Sequence, residues 1–302
     1  DNVDPKLDSA YFIAIEMAHG TLIKGLRNAS DLNVTQYRVL VKTLAVSPDS
    51  IQLGELSTLL RLKANVITAA VDTLERQDLV ERRRSTDDAR ARLLRITEQG
   101  IAVVKRVDKA VVTQLYADFP TDNPLYRKSL EAAIIAGGAI EPPLSKQIAM
   151  KYPSSRTLVS IELVKQTIER TLRDATGASY NECRILQRLG EVGRPLRPLD
   201  LAEQLMLPPV TITRATDRLA SRGWVKRLSD PDDRKAVHVA LTDSGTRESR
   251  SLENIIDDVA YECYWSKLDS EHQQALCKVG RIAVADRHQR EAEAFIGVQQ
   301  TS

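Results

Sequence analysis

The chain has 302 residues, of which 42% are hydrophobic and 28% are charged, and its formal net charge is +2. These values are ordinary for a globular protein, and the length suggests about two domains. No apolar run is long enough to cross a bilayer, and the start of the sequence lacks the pattern of a signal peptide. The 3 cysteines argue against a disulfide-stapled secreted domain. We therefore expect a cytoplasmic protein without a membrane segment.

Apolar periodicity and turn residues predict a helix-rich first half. The predicted elements are helices over residues 9–27 and 33–45, a short strand over 51–53, helices over 54–60 and 63–77, a strand hairpin over 79–97, and helices over 98–119 and 125–136. Residues 140–152 contain Pro142-Pro143 and show no clear periodicity, so we interpret them as a linker.

The same order of elements is predicted after the linker. It comprises helices over 154–174 and 178–189, a proline-interrupted strand at 194–198, a helix-turn-helix over 201–222, a hairpin over 224–241, and helices over 244–267 and 269–294. Pro208 and Pro209 predict the start of a helix, because proline fits the first turn but not the interior. Gly223 fits the residue just after that helix ends.

Residues 56–100 align with residues 201–245 without a gap, which indicates an internal duplication. The identical residues include charged and turn residues, namely Asp72, Arg82, Asp87, Asp88 and Gly100 with their counterparts 145 positions later. Two unrelated amphipathic regions would not share such residues. A helix-turn-helix followed by a charged hairpin is typical of a winged helix, which places one helix in the major groove of DNA.

The sequence thus predicts a mainly α fold with small β-hairpin wings. Two winged helix-turn-helix domains, residues 1–143 and 144–302, would be joined by a helical dimerisation region. The outer helices carry more apolar surface than a single small core needs. We therefore expect the two copies to be related by a pseudo-two-fold axis, as in a covalently linked homodimer.

The hairpin loops carry a family resemblance. Residues 230–237, DPDDRKAV, followed by Leu241-Thr242 and Gly245, are similar to the wing signature of MarR-type transcriptional regulators. Residues 86–91, TDDARA, followed by Ile96-Thr97 and Gly100, show the same signature in a weaker form. Two copies in one chain resemble the fused, two-domain members of that family.

The resemblance implies a DNA-binding role for both copies. The helix after the turn would enter the major groove, where arginine reads guanine, asparagine reads adenine and threonine contacts thymine. The candidates are Lys63, Asn65 and Thr68 in the first recognition helix and Thr211, Thr213, Arg214 and Arg218 in the second. The predicted wing contacts are Arg84, Arg90, Arg92, Arg234 and Lys235, with Asp88 and Asp233 expected to brace them.

The two copies are not identical where they would touch DNA. Ala69 stands where Arg214 stands in the second copy, so the half-sites should differ. Lys235 stands where the family usually has arginine, and Arg234 beside it can substitute. The alternative to a DNA contact for Arg214 and Arg218 is that they are solvated or paired with Asp217.

We therefore predict a sequence-specific regulator of transcription, most simply a repressor, that acts as a monomeric pseudo-dimer on an imperfect palindrome in double-stranded DNA. The resemblance also implies a small, phenolic effector. No phosphate-binding loop, nucleophile elbow or zinc motif is present, so we expect no enzyme activity, cofactor or metal. Cys183 is expected to be a buried thiol. The alternatives are an architectural DNA-binding protein with little sequence specificity and a winged-helix protein-interaction module.

Overall fold

The computed structural model describes residues 6–84, 92–140, 151–229, 237–263 and 265–300. The chain divides into two compact units, and each unit takes segments from both halves of the sequence. The N-terminal unit comprises Met17–Leu163 and Leu268–Asp286. The C-terminal unit comprises Asp1–Glu16, Val164–Lys267 and Arg287–Ser302. The compact units therefore do not follow one cut in the chain, and the repeat-based domains 1–143 and 144–302 stay a prediction.

The first half of the chain contains the predicted elements in the predicted order. They are α1 Ser9–Ala29, α2 Val34–Ala45, β1 Ile51–Gln52, α3 Leu53–Leu60, α4 Ala64–Arg76, β2 Val80–Arg84, β3 Arg92–Ile96, α5 Glu98–Asp118 and α6 Pro124–Ile140. The sheet order is β1-β3-β2, with both pairs antiparallel. Most of the predicted linker, residues 141–150, lies outside the described residues.

The second half repeats this order. Its elements are α7 Pro153–Thr176, α8 Tyr180–Val192, α9 Pro198–Leu205, α10 Pro209–Ser221, β4 Val225–Ser229, β5 Val237–Leu241, α11 Asp243–Cys263, a 3-10 turn Trp265–Lys267 and α12 Ser270–Gln300. Strands β4 and β5 form an antiparallel hairpin. The proline-interrupted strand is reduced to one bridge, Leu196 to Val239, because Pro195 and Pro198 leave few amide donors around it.

Both helix-turn-helix units turn at the same point. The residues after α3 and α9, Arg61 and Met206, adopt the left-handed conformation with φ of 51° and 52°. A second cap follows, since Lys63 is the N-cap of α4 and Pro208 is the N-cap of α10 with Pro209 in its first turn. The predicted restart of the helix at the proline pair is confirmed.

The base of each wing is locked to the helix that follows it. Thr97 and Thr242 accept hydrogen bonds from the amides of Gly100 and Gly245 at 3.0 Å. A Cβ atom on either glycine would overlap the carbonyl oxygen of the residue before the first wing strand, Leu79 or Trp224 in turn. Glycine is therefore required at both positions for close packing of backbone on backbone.

Each unit has its own apolar core. In the N-terminal unit the core includes one fully buried residue from each of α2, α3, α4 and α5, namely Leu40, Leu56, Ile67 and Val104. The core of the C-terminal unit includes residues from α1, α8, α9, α10 and α11, namely Phe12, Ile185, Leu205, Leu219 and Leu252. The start of α1 thus contributes to the C-terminal unit. Among the described residues, no helix has the length and apolarity needed to span a membrane.

Candidate DNA-binding surface

Helix α4 separates a buried face from an exposed polar face. Ile67, Ala70, Val71 and Leu74 are buried at helical spacing. On the other face Asn65 and Thr68 are exposed, and so is Lys63 at the N-cap. The hydroxyl of Thr68 donates to the Ala64 carbonyl oxygen at 3.0 Å, which leaves its methyl group and oxygen lone pairs for a ligand. The three predicted contact residues therefore share one accessible surface.

Helix α10 has the same division. Ile212, Ala215, Thr216 and Leu219 are buried. The predicted residues Thr213, Arg214 and Arg218 are exposed and Thr211 is half-buried. Thr213 donates its hydroxyl to the Pro209 carbonyl oxygen at 3.1 Å, as its counterpart in α4 does to Ala64.

The two arginines of α10 differ in their surroundings. Within the described part of the chain, Arg214 makes no ion pair or side-chain hydrogen bond. The guanidinium of Arg218 is paired with Glu182, which is almost fully buried, and Arg222 lies 3.8 Å from the same carboxylate. Neither Arg214 nor Arg218 pairs with Asp217, whose partner is Arg227, so the pairing part of that alternative is wrong. The solvated part still fits the exposed Arg214. Arg214 is thus the more available of the two for a base edge or phosphate.

The first wing strand in each repeat is tied to its recognition helix by an ion pair. In the N-terminal unit, Arg82 of β2 pairs with Asp72 of α4 and, at 3.0 Å, with Glu75. In the C-terminal unit, Arg227 of β4 pairs with Asp217 of α10. The pairs occupy the same two positions of the repeat, and they fix each wing strand against the helix beside it.

This brace was not predicted, although the sequence contains a signal for it. Asp72 and Arg82 both recur unchanged, as Asp217 and Arg227, in the gapless repeat. An acid and a base that recur together at a fixed separation are candidates for a pair. The prediction instead assigned bracing to Asp88 and Asp233, which lie outside the described residues.

The wing residues are described only in part. Arg84 and Arg92 are exposed and face each other in the β2–β3 register. Within the described residues neither makes an ion pair. The predicted contacts Arg90, Arg234 and Lys235 lie outside the described residues.

A buried polar cluster in the N-terminal unit connects α2, α5 and the start of α7. The hydroxyl of Tyr37 donates to Ser155 Oγ at 2.6 Å, and Ser155 Oγ donates to Asp108 Oδ1 at 2.9 Å. The amide of Ser155 donates to the same carboxylate oxygen at 2.8 Å. Burial raises the pKa of Asp108, and hydrogen bonds from Ser155 partly oppose this shift. Burial likewise raises the pKa of Tyr37.

The described residues contain no group of three or more His, Cys, Asp or Glu side chains arranged to hold a metal ion. Cys183 is buried, as predicted, and burial raises its pKa to about 11. A thiol with this pKa stays protonated at neutral pH and is a poor nucleophile.

Each repeat is therefore a winged helix-turn-helix, with a recognition helix exposed on one face and a hairpin braced against it. The MarR family model matches residues 32–91 and 179–237, and these ranges overlap the two copies found by the internal alignment, residues 56–100 and 201–245. The chain thus carries two MarR-family domains.

Similar proteins agree with this family. The chain is 36% identical over 69 residues to the HTH-type transcriptional regulator PecS of Dickeya dadantii (strain 3937). This match covers 22% of this chain and 42% of that protein. It is 40% identical over 50 residues to the multiple antibiotic resistance protein MarR of Escherichia coli (strain K12), covering 17% of this chain and 35% of that protein. The matches thus span less than half the length of either relative.

Among solved structures, the chain is similar to Sco3205, a MarR family transcriptional regulator from Streptomyces coelicolor, in complex with DNA. The identity is 24%, the match covers 46% of this chain and 86% of that chain, and the TM-score is 0.41.

Proposed function

We propose that this protein is a sequence-specific, double-stranded DNA-binding repressor of transcription. Its two repeats would read the two halves of one imperfect palindrome, so that a single chain acts as a pseudo-dimer. The observation that carries the proposal is the recurrence, in both repeats, of an exposed polar recognition helix braced to a cationic wing strand.

The brace gives this surface its physical fitness for duplex DNA. A wing strand held against the recognition helix presents cations to phosphates at a fixed distance from the groups that meet base edges. Phosphate contacts set position and register, while base contacts set specificity. Arg84 and Arg92 suit the first task, and Arg214, Asn65 and Thr68 suit the second.

The exposed faces favour sequence-specific binding over architectural binding. A protein that coats DNA needs cations but no defined hydrogen-bonding groups. Here the helices present asparagine, threonine and one arginine without a partner among the described residues, and their neighbours pack into the core. These groups match the donor and acceptor pattern of the major groove. A protein-interaction module does not require side chains that match the base edges of the major groove.

The selection of binding sites from random duplexes tests the proposal. We expect one imperfect palindrome, protected in footprinting over two half-sites about one helical turn apart. Arg214→Ala should weaken binding to that site by about 1–3 kcal/mol and relax base choice at one position. Arg84→Ala should weaken binding to all duplexes and make the salt dependence shallower by about one phosphate contact.

Lys105→Met, an exposed change on α5 away from the recognition helix, is the matched control. Uniform protection without a selected sequence would favour the architectural alternative, and no binding to duplex DNA would favour the protein-interaction module. Sedimentation of the free and bound protein tests the pseudo-dimer, for which we expect one chain per site.

Release by a small phenolic effector is the part of the proposal that rests on the family alone. A panel of phenols and aromatic carboxylates, added to the protein on its selected site, tests this release in a mobility-shift assay. We expect at least one compound to lower affinity for the site without unfolding the protein. No response across the panel would remove the effector from the proposal and leave DNA binding untouched.

A further inference from the structure

The C-terminal unit exposes an apolar side chain at the start of its recognition helix. Val210, the second residue of α10, is 56% exposed, whereas most large apolar side chains of this unit are buried. The equivalent residue of α4, 145 positions earlier, is Asn65, which is exposed as well. The two helices therefore present different chemistry at the same position.

The residue four positions later differs too. Ala69 is exposed on α4, and its counterpart on α10 is the exposed Arg214. Residues four apart lie on the same face of a helix, so each pair forms one surface. That surface is asparagine with alanine in the N-terminal repeat and valine with arginine in the C-terminal repeat.

These side chains suit different base pairs. The residues at the start of a recognition helix meet base edges in the major groove. Asparagine bonds to N6 and N7 of adenine, whereas valine has no hydrogen-bonding group. Thymine is the base that places a methyl group in the major groove, so it is the partner for an apolar side chain. Valine is stiff at χ1 and loses little freedom on contact.

Building on the proposed function, we propose that the operator has a direction. At equivalent positions, Asn65 reads the N7 edge of an adenine in one half-site, and Val210 contacts the 5-methyl group of a thymine in the other. Arg214 adds a guanine to the second half-site, where the first has no counterpart. The imperfection of the palindrome would then be a recognition signal and not a tolerated mismatch.

Modified bases test this in the selected operator. Replacement of thymine by deoxyuridine removes the 5-methyl group, and replacement of adenine by 7-deazaadenine removes N7. In the Val210 half-site, deoxyuridine should weaken binding about three- to fivefold, which corresponds to one buried methyl group. In the Asn65 half-site, 7-deazaadenine should weaken binding about tenfold.

Matched variants identify which repeat reads which half. Val210→Ala should shrink the deoxyuridine effect in one half-site, because the shorter side chain contacts less of the methyl group, and leave the 7-deazaadenine effect in the other. Asn65→Ala should do the reverse. Both side chains are exposed, so neither change should unfold the protein. The double variant Asn65→Val with Val210→Asn should prefer the operator with these two positions exchanged.

The outcomes separate this inference from the proposed function. If Val210→Ala stays as sensitive to deoxyuridine as the parent protein, or if both half-sites respond equally to both modified bases, the directional operator is wrong. DNA binding with a selected site would still stand in that case. If no duplex is selected at all, the proposed function itself is wrong.

Discussion

The buried guanidinium of Arg38 donates from Nη2 to the Leu60 carbonyl oxygen, 3.0 Å away, at the end of α3. Arg184 makes the same bond to Leu205 in the second repeat, at 2.7 Å. Both acceptors end the first helix of a helix-turn-helix, one residue before the left-handed residue of the turn. A buried charge from the preceding helix thus fixes the point at which the recognition helix begins.

Replacement of this arginine should destabilise the turn. Arg184→Met keeps the length of the side chain but leaves the Leu205 carbonyl oxygen without its charged donor. We expect a loss of about 1–3 kcal/mol in the free energy of unfolding. Faster hydrogen exchange at the amides of residues 206–211 is the second readout. Arg250→Met on the exposed face of α11 is the control, and equal stability of the two variants would contradict the role of Arg184.

The glycine that follows each wing should tolerate no side chain. Gly245→Ala places a methyl group against the Trp224 carbonyl oxygen, so we expect the wing base to shift and the denaturation midpoint to fall. Gly20→Ala in α1 is the matched control, because its Cβ atom would meet nothing within 4 Å. Alanine is the better helix former, so this control should gain about 0.5–1 kcal/mol. Opposite signs in the two variants are the test.

Glu182 should restrain the DNA affinity of the C-terminal repeat. Glu182→Gln removes the carboxylate that holds Arg218, and glutamine still serves the helix cap, as Gln36 does in α2. We expect Arg218 to become available to a phosphate, so binding to DNA should become tighter. The slope of log K against log salt concentration should become steeper by about 0.9. Glu203→Gln, on the exposed face of α9, controls for the loss of one negative charge. An unchanged slope would show that Arg218 does not reach a phosphate.

Asp108 should make the stability of the N-terminal unit depend on pH. Its pKa is raised from 3.8 by burial, so its contribution to stability is greatest below pH 3.8 and is lost as the pH rises through the raised value. Relative to Asp108→Asn, the parent protein should therefore lose stability as the pH rises from 3.8 through the raised pKa of Asp108. Thermal melts of both proteins across this range measure the difference.

Asp269 offers a comparison of opposite sign. Hydrogen bonds from His272 lower its pKa, so its contribution is present above pH 3.8 and is lost as the pH falls. The difference between the parent protein and Asp269→Asn should therefore shrink toward acid. A pH-independent difference for Asp108→Asn would contradict the effect of burial.

The start of α1 should stabilise the C-terminal unit. The ring of Phe12 is fully buried and packs edge-on against Tyr180, with 5.7 Å between centroids. Phe12→Ala should cost about 3–5 kcal/mol. Hydrogen exchange should increase in residues 180–260, whereas Leu26→Ala should increase it in residues 34–118. If Phe12→Ala increased exchange in residues 34–118 alone, the assignment of the start of α1 to the C-terminal unit would be contradicted.

Local signals in the sequence predicted the order of elements well. The proline pair at the start of α10 and Gly223 at its end each fix the backbone by their own chemistry, so no knowledge of the rest of the fold was needed. The repeat then carried each assignment from one half to the other, including the short strand Ile51–Gln52 and its reduced counterpart at Leu196.

Interactions across long sequence separations were harder to predict. Helical periodicity shows that Phe12 faces a core, but not that this core belongs to residues 164–267. The pairing of Glu182 with Arg218 joins residues 36 positions apart, and it has no counterpart in the first repeat, where Gln36 and Thr73 occupy these positions. The braces Asp72–Arg82 and Asp217–Arg227, in contrast, had a repeated signal in the sequence.

The differences between the exposed faces of α4 and α10 have a consequence for the evolution of the protein. In a regulator made of two identical chains, any codon change in the recognition helix alters both contacts with the operator at once. If each repeat reads one half of an operator, as proposed, a single mutation in this chain changes Asn65 or Val210 alone, and one half of the operator can change while the other stays recognised. New target sites then become reachable in single, separately tolerated steps.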